Sequence, residues 1–206
     1  MSLVDRAKNI LLSPKQEWEV IAKEEATVGG LFTGYAAILA IIPVITSILF
    51  LGLLGMGGLG MGGAGSAMAS LGFSYFVTMG IVGYVVGLAL LWLMSFIVNA
   101  VVPSFNGKQD MTQATKLMVY AATPTWVVGL VNWIPVLGWL LGLAAIAYTV
   151  YLIYLGVKPV LEVPQEKVAG MTVVIVLIYI VTSIVVGGLI TAAVIAMFFS
   201  GAMMGM

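Results

Sequence analysis

Residues 169–199 read AGMTVVIVLIYIVTSIVVGGLITAAVIAMFF, without one charged side chain. A bilayer core of roughly 30 Å is crossed by about twenty consecutive apolar residues in a helix, so this stretch is long enough to span a membrane with tilt or overhang. A soluble domain can bury such a helix, but here nothing is left to cover it. Four more apolar runs, at about 28–54, 73–102, 114–131 and 134–157, take up most of the remaining chain. The third is short. Asn132, Trp133 and Pro135 separate it from the fourth and read as the tight turn of a helical hairpin.

Composition agrees. Of 206 residues, 62% are hydrophobic and 8% charged, and the mean hydropathy is +1.18. An ordinary soluble domain is roughly a quarter charged, and a surface this apolar does not stay in water. The expected fold class is all-α: an integral membrane bundle of five transmembrane helices with N-terminal amphipathic interfacial helices.

The positive charges test the count. Arg6, Lys8, Lys15 and Lys23 precede the first run; Lys108 lies between the second and third, and Lys116 just inside the start of the third; Lys158 and Lys167 lie between the fourth and fifth. With five crossings all eight fall on one side, whereas four or six would scatter them. Lys and Arg concentrate on the cytoplasmic side. The expectation is therefore a cytoplasmic entry segment (1–27), a five-span membrane domain (28–199), and an outer Met/Gly tail (200–206). The N-terminus is expected in the cytoplasm and the C-terminus outside. Residues 1–26 are polar and lack a cleavable-signal pattern, so the first span is expected to direct insertion.

Composition also limits the chemistry. The chain has no Cys and no His, and eight basic residues balance eight acidic ones. Disulfides, thiolate nucleophiles, Cys/His zinc sites and imidazole catalysis are excluded, and there is no basic field for nucleic acid. No charged residue lies deep in a span, which argues against a proton-coupled pump. Asp110, Glu162 and Glu166 sit in loops with no motif around them. No catalytic residue, cofactor or metal site is expected, and the chain is not expected to be an enzyme.

In the entry segment, Leu3, Ala7, Ile10 and Leu11 recur at helical spacing among polar residues, the pattern of a short amphipathic helix. Next comes Ser13-Pro14-Lys15-Gln16-Glu17-Trp18. Ser13 suits a helix cap, Pro14 the first helical position, and Gln16 the capping-box position. Trp18, Ile21 and Ala22 share one face. Trp favours the membrane interface, so two short helices lying on the cytoplasmic surface are expected.

SPKQEW at 13–18 with Glu19-Val20-Ile21-Ala22 resembles the entry segment of prokaryotic Yip-family proteins. Tyr120-Ala-Ala-Thr-Pro124 is similar to that family's Tyr…Pro element, and Tyr154-Leu-Gly-Val-Lys158 to its exit from the fourth span. The resemblance runs from about residue 10 to 199, and the five-span, N-inside plan agrees with it. The family is named for eukaryotic relatives that bind Ypt/Rab GTPases. The long N-terminal region and the Asp-Leu-Tyr-Gly-Pro signature of those relatives are absent here, so Rab binding is not carried over. The resemblance implies a membrane domain in the plasma membrane of a prokaryote.

Two function classes follow. The first is a scaffold or adaptor docking a cytosolic protein partner, with Trp18 and Ile21 holding a platform at the interface and Lys108 and Lys158 completing the face. The alternative is a permease or channel for a small or hydrophobic solute. Its path would use Pro43, Thr46, Asn99, Tyr120, Thr123 and Pro124, because prolines inside helices free carbonyls that line sites in broken transporter helices. A third, minor reading is Cu(I) held by Met56, Met61, Met68, Met203, Met204 and Met206 on the outer side, since thioethers are soft ligands. Gly30/Gly34, Gly83/Gly87 and Gly138/Gly142 have the spacing that lets helices approach closely and are expected to pack within the bundle. Beyond the lipid bilayer as a partner, monomer and homodimer both stay open.

Overall fold

The structure, a computed structural model, describes residues 1–49 and 72–203. Among them there is no strand. Helix α1 runs Leu3–Leu12 and α2 Pro14–Lys23. The first long helix, α3, covers Val28–Leu49. It is followed by α4 (Gly72–Val101), α5 (Met111–Ala121), α6 (Thr123–Val128), α7 (Pro135–Leu161) and α8 (Gln165–Met203).

The two entry helices form where the apolar spacing places them. Ser2 caps α1, its Oγ accepting from Asp5 N at 3.1 Å. Ser13 stands at the N-cap of α2, but its side chain makes no capping bond. Its amide instead closes α1 on the Asn9 carbonyl at 2.8 Å, and Gln16 is exposed. The expected capping box is therefore absent, because the Ser13 backbone is already used to end the preceding helix. Thr27 caps α3 by accepting from Gly30 N, and Asp110 caps α5 by accepting from Thr112 N and Gln113 N.

Four helices are long and apolar enough to cross a membrane: Val28–Leu49, Val77–Phe105, Val136–Leu161 and Gln165–Ala193. The third predicted run, 114–131, is not one helix. It divides into α5, of 11 residues, and α6, of 6. Pro124 is the cause: it has no N–H for the Tyr120 carbonyl, and its ring crowds that turn. The orphaned carbonyl is taken by the Thr123 hydroxyl at 2.8 Å. Pro43 lies within α3 without ending it.

The core is concentrated at the charge-bearing end. Ile10, Trp18 and Ile21 of the entry helices, Leu117 of α5, Leu152 and Leu161 of α7, and Met171 and Ile175 of α8 have almost no exposed surface. Toward the opposite end the helices carry large exposed apolar side chains, among them Val85, Trp139, Ile184 and Leu189, as suits a surface that meets lipid rather than water. In the most hydropathic stretch of α8 only 6% is buried, against 22% in each of the other three spans, so α8 is the most peripheral.

Two loops close the charge-bearing end. Asn106 and Glu162 both adopt left-handed backbone, with φ of 58° and 55°. Lys108 N donates to Leu161 O at 2.9 Å, tying the loop after α4 to the end of α7. Gly107 is required there: a Cβ would lie 2.7 Å from that same Leu161 carbonyl.

Candidate functional site

The densest polar construction lies where α1 and α2 meet α5. On α1, Leu3, Arg6, Ala7 and Ile10 share a face, so Arg6 enters the protein with the apolar stripe. It ion-pairs with Glu17 and Glu24, and its guanidinium lies 5.4 Å from the centre of the Tyr120 ring. Arg6 and Glu17 are each only 5% exposed. Burial works against the charged guanidinium. The hydrogen bond to Glu24 and the charges of Glu24, Tyr120 and Glu17 outweigh it and raise the Arg6 pKa above its ordinary value, so Arg6 stays protonated at any working pH.

From the other side, Lys116 of α5 donates through Nζ to the carbonyls of Ile21 and Glu24. These are carbonyls at the C-terminus of α2, which have no partner inside their own helix. A cation there satisfies them and faces the negative end of the helix dipole. Gln113 Nε2 reaches Ala22 O at 3.0 Å, and Tyr148 of α7 donates to Leu11 O at 2.8 Å. Both entry helices are thus bonded through their C-terminal carbonyls to the membrane helices.

Trp18 completes the clasp. Its indole lies against Gly156 of α7, where an added Cβ would come 2.9 Å from Trp18 Cε2 and 2.5 Å from Leu117 Cδ1. The Leu-Gly-Val-Lys stretch at 155–158 therefore has a packing reason for its glycine. Next to this, Tyr35 meets Tyr120 edge-on with ring centres 4.8 Å apart. Its hydroxyl lies 2.9 Å from Thr123 Oγ1. Since Thr123 spends its one hydrogen on Tyr120 O, Tyr35 is the donor.

The residues expected to dock a partner divide into two groups. Trp18 and Ile21 have no exposed surface; they are core residues and cannot touch a partner while the segment is folded. The sequence cue was read as interfacial because Trp suits both places, and only tertiary contact separates them. Lys108 and Lys158 are exposed. Lys108 pairs loosely with Glu162 at 3.5 Å. Lys158 borders a groove with Lys15, Glu19 and Gln165.

Among the described residues, those expected along a solute path lie in separate surroundings. Pro43 lines a cleft of about 350 Å³ with Gly83, Gly87, Thr125, Trp126 and Tyr179, and none of Thr46, Asn99, Tyr120, Thr123 or Pro124 is in that lining. The Thr46 hydroxyl is turned to the Gly129 carbonyl at 2.8 Å, joining α3 to the end of α6. The Thr123 hydroxyl is held by Tyr35 and Tyr120 as described. Asn99 Oδ1 is buried without a hydrogen-bond partner, outside the lining of that cleft, and Pro124 is buried. Tyr120 faces a different, polar pocket. The glycine pairs also depart from expectation. A Cβ at Gly34, Gly83, Gly87 or Gly142 would meet nothing within 4 Å, Gly30 touches only its own cap Thr27, and Gly138 only the Asn132 turn. None of the three pairs seats a neighbouring helix. Of the methionines considered for Cu(I), Met56, Met61, Met68, Met204 and Met206 and the Met203 side chain lie outside the described residues.

Arg6, Glu17, Glu24 and Lys116 are the part of the site that sequence reasoning missed. A cue existed: Arg6 lies three residues after Leu3 and four before Ile10, and Glu17 lies four before Ile21, so both belong to apolar stripes.

The comparisons follow from this architecture. A family model described as the Yip1 domain matches residues 8–187, which takes in the second half of α1, all of α2, three of the four long spans and most of the fourth. The inner membrane protein YohC of Escherichia coli K12 is 26% identical over 157 residues, covering 75% of this chain and 77% of that protein. YohC of Escherichia coli O6:H1 matches to the same extent. No solved structure matches the chain. With most of its length matched, entry segment and membrane helices together, the chain belongs to the Yip1 domain family of multi-pass membrane proteins.

Proposed function

We propose that this protein is a non-enzymatic scaffold of the plasma membrane that presents a rigid docking face to a cytosolic partner. One observation carries this: α1 and α2 are clamped onto α5 and α7 by the Arg6 pairs, Lys116 and the Trp18–Gly156 contact. The entry segment is then a built surface, and its exposed rim includes Lys15, Glu19 and Lys158. Trp18 and Ile21 support the face from beneath; Lys158 and Lys108 are its contact residues. The absence of His and Cys from the whole chain supports a non-catalytic role. The inner-membrane relatives support the plasma membrane as its home.

The proposed topology has five crossings, with α5 and α6 together making the third. Residues 111–128 rise about 27 Å at 1.5 Å per residue, close to the hydrocarbon thickness. That arrangement keeps all eight basic residues on the cytoplasmic side and puts the C-terminus outside. Because the chain has no Cys, single cysteines report the topology cleanly. Ser2→Cys is expected to resist a membrane-impermeant maleimide in intact cells, and Ser200→Cys to react. The same reactivity at both positions refutes the proposed topology.

The docking reading is tested by a photo-crosslinking amino acid at Lys158 or Glu19 in living cells. A discrete protein adduct at both, lost when Lys15→Glu is added, is expected. No adduct at either position in folded, inserted protein sinks the reading.

A further inference from the structure

A pocket of about 350 Å³ lies between the start of α1, the 24–27 linker and the first turns of α3, within the size range of small-molecule sites. Three features of it remain unused by the clamp. Tyr120 is only 8% exposed, lines the pocket, and its hydroxyl has no hydrogen-bond partner among the described residues. That hydroxyl is not sealed inside the protein but opens on the pocket, where it can donate to a ligand. Glu25, exposed at the rim, likewise makes no ion pair among the described residues. Gly30 and Gly34 form one wall, and a Cβ at Gly34 would meet nothing within 4 Å. That wall is bare backbone on the first turns of a helix long and apolar enough to cross a membrane, the depth at which lipid headgroups meet hydrocarbon.

We infer that this pocket takes the zwitterionic headgroup of an aminophospholipid. The phosphate accepts from the Tyr120 hydroxyl, the primary ammonium donates to Glu25 and Glu24, and the glycerol and chains leave over Gly30 and Gly34. Charge selects the headgroup. In the pocket lining Arg6 and Met1, which carries the N-terminal ammonium, stand against Glu24 and Glu25, so the charges balance. A balanced lining of both signs matches a headgroup that itself carries both signs rather than a net-anionic one, and a quaternary choline has no N–H to give the carboxylates. The proposal is independent of partner docking.

The test uses the full chain, delipidated in detergent and presented with equimolar phosphatidylethanolamine, phosphatidylglycerol and phosphatidylcholine. Retained lipid is counted by native mass spectrometry. Phosphatidylethanolamine is expected to be retained about tenfold over either competitor, with displacement by millimolar free phosphoethanolamine. Tyr120→Phe and Glu25→Gln are each expected to remove most of that preference while leaving phosphatidylglycerol retention unchanged. Glu25 is exposed, so its variant reads the site even if the Tyr120 variant folds poorly. Equal retention of the three lipids, unchanged preference in both variants, or phosphoethanolamine binding without lipid preference overturns the proposal.

Discussion

Replacing Arg6 by Gln removes the cation that Glu17 is buried against. Glu24, with its side chain 39% exposed, can return to water, but Glu17, at 7%, cannot. The cost is therefore centred on one carboxylate left unpaired inside the protein. Breaking a buried pair by removing one partner costs roughly 3–5 kcal/mol, whereas replacing both partners by apolar residues of similar size is often neutral. Loss of the guanidinium over Tyr120 adds about 0.5–1 kcal/mol. The expected pattern has two parts: Arg6→Gln is destabilised by roughly 3–5 kcal/mol, and Arg6→Met/Glu17→Leu returns to within about 1 kcal/mol of the parent. The assay is equilibrium unfolding of purified protein in mixed micelles, parent and variants side by side, with Arg6→Met alone and Glu17→Leu alone completing the cycle. If Arg6 lay on a solvated helix face, as its charge alone suggests, its loss would cost under about 1 kcal/mol. A single variant in that range, or a double variant as unstable as the single, refutes the buried clamp.

Other substitutions probe the same construction. Gly156→Val forces a side chain into Leu117 and Trp18 and is expected to cost about 1–3 kcal/mol or more by overpacking, seen as a lowered unfolding midpoint. Trp18→Ala empties the same place from the other side, with an expected loss of about 3–5 kcal/mol; a neutral result would mean the indole is not core. Removing residues 1–26 takes away Ile10, Trp18 and Ile21 and uncovers Leu117 and Leu152, so the shortened chain is expected to aggregate in size-exclusion chromatography rather than only lose a partner. Lys108→Ala, by contrast, removes an exposed pair and is expected to change the midpoint by less than about 0.5 kcal/mol.

The membrane class, the all-helical fold and the entry helices were legible in the sequence because they depend on local quantities. Run length against bilayer thickness identifies the spans, and the 3.6-residue period marks the helices. The family could be read from short motifs at the same stage, and Leu-Gly-Val-Lys turns out to have a mechanical reason in the Trp18–Gly156 contact. The break between α5 and α6 was signalled by Pro124, although a proline does not by itself break a helix, as Pro43 inside α3 shows.

What only the tertiary structure decided is which side chains meet. Arg6 and Lys116 read as members of a polar face and a positive-inside map, yet both end buried: their partners lie 11 to 95 positions away in the chain, and no local period encodes such a meeting. Trp18 and Ile21 read as interfacial, yet they are core, because an aromatic on an amphipathic helix is equally stable against lipid headgroups or against a glycine on a neighbouring helix. Sequence also left open where the hydroxyls of Thr46 and Thr123 turn, and the fold points them onto nearby carbonyls. In hydrocarbon a polar group must find a partner, and which partner it finds depends on how the helices pack.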